Sequence, residues 1–122
     1  MRKNIIKEKS FEFAISIVKL YKYLISEKRE YVISRQLLKS GTSIGANVRE
    51  ADNAESKLDF IHKMGIAQKE ADETLYWLDL LRATDFIDDS KFDNLKTTAE
   101  EIIRIIKSII LTAKENNKKG EG

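Results

Sequence analysis

The chain has 122 residues, the size of one domain, and its 42% apolar and 34% charged residues are typical of a charge-rich globular protein rather than a disordered one. It contains no cysteine, which excludes disulfides, thiolate metal sites and a cysteine nucleophile. No apolar run approaches the roughly 20 residues that span a bilayer, and the N-terminal residues lack the apolar segment of a signal peptide, so we expect a cytoplasmic protein with no membrane partner.

The net charge of +2 is unevenly distributed along the chain. Residues 1–49 hold 11 Lys/Arg and 4 Asp/Glu, whereas residues 50–122 hold 11 Lys/Arg and 16 Asp/Glu. One explanation is that basic helices pair with acidic helices, within the chain or between subunits. The other is a basic surface that binds RNA or DNA. The candidate residues of that surface are Lys19, Lys22, Lys28, Arg29, Arg35 and Lys39.

Apolar residues recur at steps of three and four in four segments, which is the spacing of amphipathic helices, and no proline interrupts them. Four long helices with three short connections favour an all-α, antiparallel up-down-up-down four-helix bundle over residues 10–116. We expect residues 1–9 to be a flexible basic lead-in, Ser10 and Ser90 to cap the first and fourth helices, and residues 117–122 to be disordered. The periodicity predicts helices over about residues 11–26, 31–53, 57–84 and 91–116.

The first predicted helix carries two apolar stripes, which together are wider than one bundle seam requires. The excess width predicts that part of this surface contacts another subunit, and we assign Phe13 and Ile17 of the second stripe to that contact. The first stripe consists of Phe11, Ala14, Val18, Tyr21 and Ile25, and the second of Phe13, Ile17, Leu20 and Leu24.

The third predicted helix has an aromatic patch away from its core-facing stripe. We predict that Tyr76, Trp77 and Leu80 of this patch, with Ile66 nearby, belong to the same oligomer interface, because clustered aromatic residues are frequent in protein contacts. Packing of Trp77 in the core of its own chain is the alternative.

Two glycines in the second predicted helix indicate close helix packing. Gly41 and Gly45 are four residues apart and therefore share one helix face. Each costs about 1 kcal/mol relative to alanine in a helix interior, a cost that is tolerated where another backbone comes close. Beside them runs a row of short polar residues, which is either exposed to solvent or forms a hydrogen-bonded seam between helices or subunits. This row is Gln36, Ser40, Ser43, Asn47 and Glu50.

The residue patterns of known catalytic and metal sites are missing from the sequence. A di-iron site in a helical bundle needs two Glu-x-x-His pairs, but the chain has one histidine, His62, and no glutamate three residues before it. The acidic residues Glu70, Asp72 and Glu73 are better explained by a solvated or salt-bridged helix face than by a cation site. We therefore predict a protein that is not an enzyme and that holds no metal or cofactor.

The segment 36–51, with the sequence QLLKSGTSIGANVREA, resembles the helix 2 signature of the four-helix bundle proteins also called 23S rRNA intervening-sequence proteins. Residues 59–67, together with Glu73, are similar to the third helix of that family. The resemblance extends over about residues 8–115. The sequence departs from the family pattern at Gly45, where many members carry proline.

The resemblance implies a bundle that assembles as a ring-like homopentamer. Some members of the family are encoded inside insertions in 23S rRNA genes, and similar bundles are accessory proteins of diversity-generating retroelements that bind a reverse transcriptase and nucleic acid. It implies no catalytic residues, and its signature positions Ser43, Asn47, Glu50 and Glu73 are interpreted as a structural polar seam. The predicted function is therefore a non-enzymatic homo-oligomeric module, with RNA, DNA and a reverse transcriptase as candidate partners. The alternative is a protein scaffold that binds no nucleic acid.

Overall fold

The computed structural model describes the backbone of residues 2–121 and the side chains of residues 5–118. This part of the chain forms four helices and no strand. Consecutive helices pack side by side and α4 returns to α1, so that the described diagonal pairs α1–α3 and α2–α4 make no close approach. The predicted all-α four-helix bundle is confirmed. The helices are α1 (Arg2–Ser26), α2 (Ile33–Asp52), α3 (Lys57–Ala83) and α4 (Asp89–Glu121).

The first and last helices are longer than the sequence analysis predicted. α1 begins at Arg2 rather than near residue 11, because Ile6 and Ser10 are buried and continue the core-facing stripe by two further turns. Ser10 is therefore not a cap: its hydroxyl donates to the Lys7 carbonyl at 3.2 Å within the helix. α4 continues to Glu121, beyond the predicted end at residue 116. Met1 and Gly122, from the expected lead-in and tail, lie outside the described residues.

The side chains of Ser56 and Asp88 cap the first turns of α3 and α4, and at α4 the predicted cap was Ser90. Ser56 accepts a hydrogen bond from the backbone N–H of Asp59 at 3.0 Å, as the Ser-x-x-Asp pattern indicates. At α4, Asp88 rather than Ser90 has the capping role, since its carboxylate accepts from the Lys91 N–H at 2.8 Å. The helix consequently begins at Asp89.

The start of α2 depends on the carboxylate of Glu30, which is buried in the α1–α2 connection. It accepts hydrogen bonds from the backbone N–H groups of Val32, Ile33 and Ser34 at 3.1, 3.0 and 2.7 Å. The Ser34 hydroxyl returns a bond to the Glu30 carbonyl at 2.8 Å. Burial raises the pKa of Glu30, but these hydrogen bonds outweigh burial and leave the pKa lowered. Glu30 thus satisfies the free N–H groups of the first turn as an anion.

The structure reverses the roles of the two apolar stripes of α1. Phe13 and Ile17, predicted as interface residues, are buried in the core of their own chain and are not available to a second subunit. This burial follows from Ile6 and Ser10, which extend that stripe toward the N-terminus, and from Gly41, which leaves room for Ile17. In the other stripe Phe11 is exposed, and the remaining four residues are half-buried.

The core is one continuous apolar cluster to which all four helices contribute. A pair of buried hydroxyls lies within it, where the Thr74 hydroxyl of α3 donates to Ser40 Oγ of α2 at 2.9 Å. The side chains of the core that are buried most completely and are largest are Phe13, Phe92, Ile6, Ile17, Leu24, Leu37, Ile44, Met64, Leu78, Leu81, Ile102 and Ile106.

Candidate functional site

The two glycines of α2 meet α1 at different distances. A Cβ atom on Gly41 would lie 2.8 Å from both Cγ1 and Cγ2 of Ile17 and 3.2 Å from its Cβ. A Cβ atom on Gly45 would lie 3.4 Å from the carbonyl oxygen and the hydroxyl of Ser10, which is ordinary van der Waals contact. Of the two glycines, Gly41 is therefore packed more tightly against α1, and Gly45 leaves space for a methyl group.

The side chains of the four polar signature residues are not bonded to one another. The Ser43 hydroxyl donates to the Lys39 carbonyl at 2.7 Å, and the Asn47 amide donates to the Ser43 carbonyl at 2.9 Å. Glu50 forms an ion pair with Lys63 of α3 at 3.1 Å. The last of the four, Glu73, accepts from the Trp77 indole N–H at 3.3 Å. Within one chain, Ser43 and Asn47 bond to backbone carbonyls of α2, Glu73 bonds to a side chain of its own helix, and Glu50 alone crosses to a neighbouring helix, so they do not make a continuous seam.

The buried polar contact between α2 and α3 uses other residues. Ser40, the only member of the predicted polar row that is fully buried among the described residues, meets Thr74 of α3. The sequence contained part of this signal, because Thr74 falls on the predicted inner face of α3 beside two small residues, Ala67 and Ala71. Spacing alone did not distinguish Ser40 from its exposed neighbours.

An exposed apolar surface runs along α1, on its side next to α2. We call Phe11, Ala14, Ile15 and Val18 the α1 stripe. With Lys19 and Lys22 these residues line a surface groove of about 310 Å³. Phe11 is 53% exposed and Ile15 is 42% exposed. The guanidinium carbon of Arg49 lies 5.4 Å from the centre of the Phe11 ring, which places α2 at the edge of the stripe.

A second apolar surface lies on α3. We call Tyr76, Trp77 and Leu80 the α3 patch. Tyr76 is 59% exposed, and its ring meets that of Trp77 edge-to-face with 4.9 Å between the ring centres. Trp77 and Leu80 are half-buried. Trp77 also packs against the core, so it belongs both to the surface patch and to the edge of the core, the two positions that the sequence left open.

Acidic side chains lie beside the α3 patch. Burial raises the pKa of Glu70, and the negative charge of Glu73 raises it further, while Lys69 and Lys39 act in the opposite direction. The raised pKa of Glu70 thus reflects burial first and the neighbouring carboxylate second, and two nearby lysines oppose both effects.

The six candidate nucleic-acid-binding residues are all exposed and lie at one end of the bundle. They occupy the second half of α1, the α1–α2 connection and the first half of α2. No described salt bridge involves any of them. Of the two acidic residues in this segment, Glu27 is exposed and Glu30 is occupied by the N–H groups of α2. Apart from the effect of Lys39 on Glu70, the basic end therefore presents charge that no salt bridge of the described residues neutralises.

The described residues hold no group of three metal-ligating side chains, and none of the helices in that region is long and apolar enough to cross a membrane.

The end of the bundle opposite the basic end has an open cleft of about 380 Å³, lined mostly by apolar atoms of α2, α3 and α4. Its residues are Ala51, Asp52, Ala54, Ser56, Lys57, Phe60, Ile109, Thr112, Ala113 and Asn116.

The family described as 23S rRNA-intervening sequence protein matches residues 2–108, most of the chain. The chain belongs to this family. The resemblance seen in the second and third helices is thereby confirmed. The matched region of this intervening-sequence protein contains both glycines, the α1 stripe, the α3 patch and all six basic candidates.

A solved structure supports the same family assignment. The crystal structure of a protein with unknown function from the S23 ribosomal protein family of Bacteroides thetaiotaomicron is 51% identical in sequence. It superposes with a TM-score of 0.90 and covers 90% of this chain and 98% of its own. No curated protein matches the chain.

Proposed function

We propose that this intervening-sequence protein is a non-enzymatic homo-oligomer that assembles through the α1 stripe and the α3 patch and presents its basic end to RNA or DNA. The exposed apolar area carries this proposal. Phe11, Ile15 and Tyr76 remain outside a bundle whose core is already complete, and exposed apolar side chains that cluster in this way are typical of protein contacts. The homopentamer implied by the family resemblance is the assembly that we expect.

The basic end supports the nucleic-acid part of the proposal. Exposed cations without ion-pair partners gain favourable contacts with phosphate groups, and the associated counterion release gives affinity that falls with salt. A reverse transcriptase is the protein partner that the resemblance suggests. A scaffold that binds no nucleic acid is the second candidate. Charge reversal at the basic end distinguishes the two candidates through its effect on nucleic-acid affinity.

Light scattering at tens of micromolar tests the assembly. We expect the mass of five chains for the wild type and a smaller mass for Ile15→Glu and for Tyr76→Glu. The matched control is Leu111→Glu, which changes a side chain of α4 that is 61% exposed and lies outside both surfaces. A wild type that is monomeric under these conditions contradicts the assembly. A control variant that dissociates like the other two shows that the effect is not specific to the proposed surfaces.

A further inference from the structure

The α1 stripe and the α3 patch lie on the two sides of α2. The contact of Arg49 with the Phe11 ring places α2 beside the stripe. The ion pair of Glu50 with Lys63, and the effect of the Lys39 charge on Glu70, place α2 beside the face of α3 that carries the patch. One molecule thus has two different apolar surfaces, on neighbouring sides of the bundle rather than on opposite sides.

The charges that border these two surfaces have opposite signs. The α1 stripe is bordered by Lys19 and Lys22, which line the same groove, and by Arg49 of α2. The α3 patch is bordered by Glu73, which is bonded to the Trp77 indole, and by Glu70. Lys19 and Lys22 take part in no described salt bridge. The α1 stripe of one copy and the α3 patch of another copy are therefore electrostatically complementary.

We propose that the α1 stripe of one copy binds the α3 patch of the next copy, with Lys19 and Lys22 of the first facing Glu70 and Glu73 of the second. The other four residues of the basic end, Lys28, Arg29, Arg35 and Lys39, then remain for the proposed contact with nucleic acid. This inference rests on the proposed function, because it specifies how the copies of the homo-oligomer meet. Contact between like surfaces would instead place cations against cations at the stripe and carboxylates against carboxylates at the patch, which is unfavourable.

The placement of the two surfaces determines the kind of assembly. A contact between unlike surfaces is heterologous, and it produces a closed ring if the rotation from copy to copy closes and an open filament if it does not. When the two surfaces lie on neighbouring sides of the bundle, the row of copies changes direction at every copy. Surfaces on opposite sides would extend the row in a line. Of the two forms, the closed ring is the one that the family resemblance implies.

A mixing experiment tests which surfaces meet. Ile15→Glu carries an impaired stripe and an intact patch, and Tyr76→Glu carries the reverse. Each variant alone is expected to be monomeric, and an equimolar mixture is expected to form a heterodimer that grows no further, because one intact stripe meets one intact patch. Native mass spectrometry distinguishes the heterodimer from either homodimer. Each variant alone, at the total protein concentration of the mixture, provides the reference for nonspecific association.

The possible outcomes separate this inference from the proposed function. A monomeric wild type contradicts the assembly itself. A wild-type oligomer whose two variants each still form homodimers shows that like surfaces meet, and overturns the inference alone. A wild-type oligomer whose two monomeric variants give no heterodimer has the same consequence.

A charge exchange provides a second test with smaller changes to the apolar surfaces. Lys22→Glu and Glu73→Lys are each expected to weaken the wild-type assembly by at least about tenfold in dissociation constant, as buried or partly buried charge pairs do at interfaces. The mixture of the two variants is expected to recover association, because each restores an opposite charge to the other. Equal weakening in the mixture and in the separate variants would contradict the assigned pairing.

Discussion

Ile17 of α1 occupies the space that a side chain at Gly41 of α2 would need, since a Cβ atom there would lie 2.8 Å from two of its side-chain carbons. This relationship explains why a residue with poor helix propensity lies in the middle of α2. It also makes Gly41 and Gly45 different, although they share one helix face in the sequence.

We expect opposite effects of alanine at these two glycines. Gly41→Ala should destabilise the fold by about 1–3 kcal/mol, because Ile17 is fully buried and must shift. Gly45→Ala should be neutral or stabilising by up to about 1 kcal/mol, because the added methyl makes ordinary contact with Ser10 and improves helix propensity. Gly45→Leu should disrupt packing or assembly. Urea unfolding measures the first two effects, and similar values for the two alanine variants would contradict the difference in packing.

The fold was predictable because helical periodicity is a strong signal, but the orientation of α1 was not. Both of its stripes have the helical period and similar apolar content, so the sequence of α1 alone does not show which of them is buried. The position of Ile6 and Ser10 was an available clue, since they continue the stripe of Phe13 and Ile17, but the predicted helix began after them. The space at Gly41 that receives Ile17 depends on how two helices pack, which no local pattern contains.

The cap of α2 was missed for a related reason. Glu30 lies four positions before Ser34, whose N–H it binds. Standard capping patterns instead use Ser, Thr, Asp or Asn directly before the first turn. Here the longer side chain of Glu30 reaches the same N–H groups from outside the usual position.

Replacement of Glu30 should reveal its contribution at the start of α2. We expect Glu30→Gln to lower the free energy of unfolding by about 2 kcal/mol near neutral pH, since charge-assisted hydrogen bonds are lost. Because the folded pKa of Glu30 is lowered, its stabilisation is present above the pKa of the unfolded chain and is lost as the pH falls through the folded pKa. The wild type should therefore lose stability in acid more steeply than Glu30→Gln.

Chemical unfolding between about pH 7 and about pH 3 provides the measurement. Glu27→Gln is the matched control, because Glu27 is exposed and lies in the same connection. Parallel pH profiles of wild type and Glu30→Gln would show that the carboxylate of Glu30 remains equally protonated in the folded and unfolded chain.

The hydroxyl pair between α2 and α3 can be tested by a double-mutant cycle. Thr74→Val preserves the shape of the side chain but leaves Ser40 without its partner across the helix contact, at a cost of about 1–3 kcal/mol. The double variant Ser40→Ala, Thr74→Val should cost less than the sum of the two single changes, because each single change already removes the same hydrogen bond between the helices. Additive free energies of unfolding would show that the two hydroxyls do not stabilise each other.

Charge reversal at the basic end should reduce nucleic-acid affinity. Lys28→Glu with Arg35→Glu is expected to weaken binding of single- and double-stranded RNA or DNA and to reduce the slope of log affinity against log salt by about 1 for each phosphate contact that is lost. Both residues lie outside the α1 stripe and the α3 patch, so the oligomer mass should not change.

Fluorescence anisotropy with labelled oligonucleotides at several salt concentrations gives these slopes. Lys107→Glu with Lys114→Glu on α4 is the matched control for total charge, since both residues are exposed and distant in sequence from the basic end. A wild type that does not bind at low salt, or whose binding is independent of salt, favours the scaffold without nucleic acid.

The unequal packing of the four helices has a consequence for how the molecule opens. Within the described residues, α2 and α3 share the most extensive contact, whereas α1 and α4 meet only sparsely. Segments with few tertiary contacts exchange their amide protons through local fluctuations, and densely packed segments exchange only when the whole domain unfolds. Amide protons of α2 and α3 should therefore be the last to exchange with deuterium. Separation of α1 from α4 should be the local opening of lowest free energy.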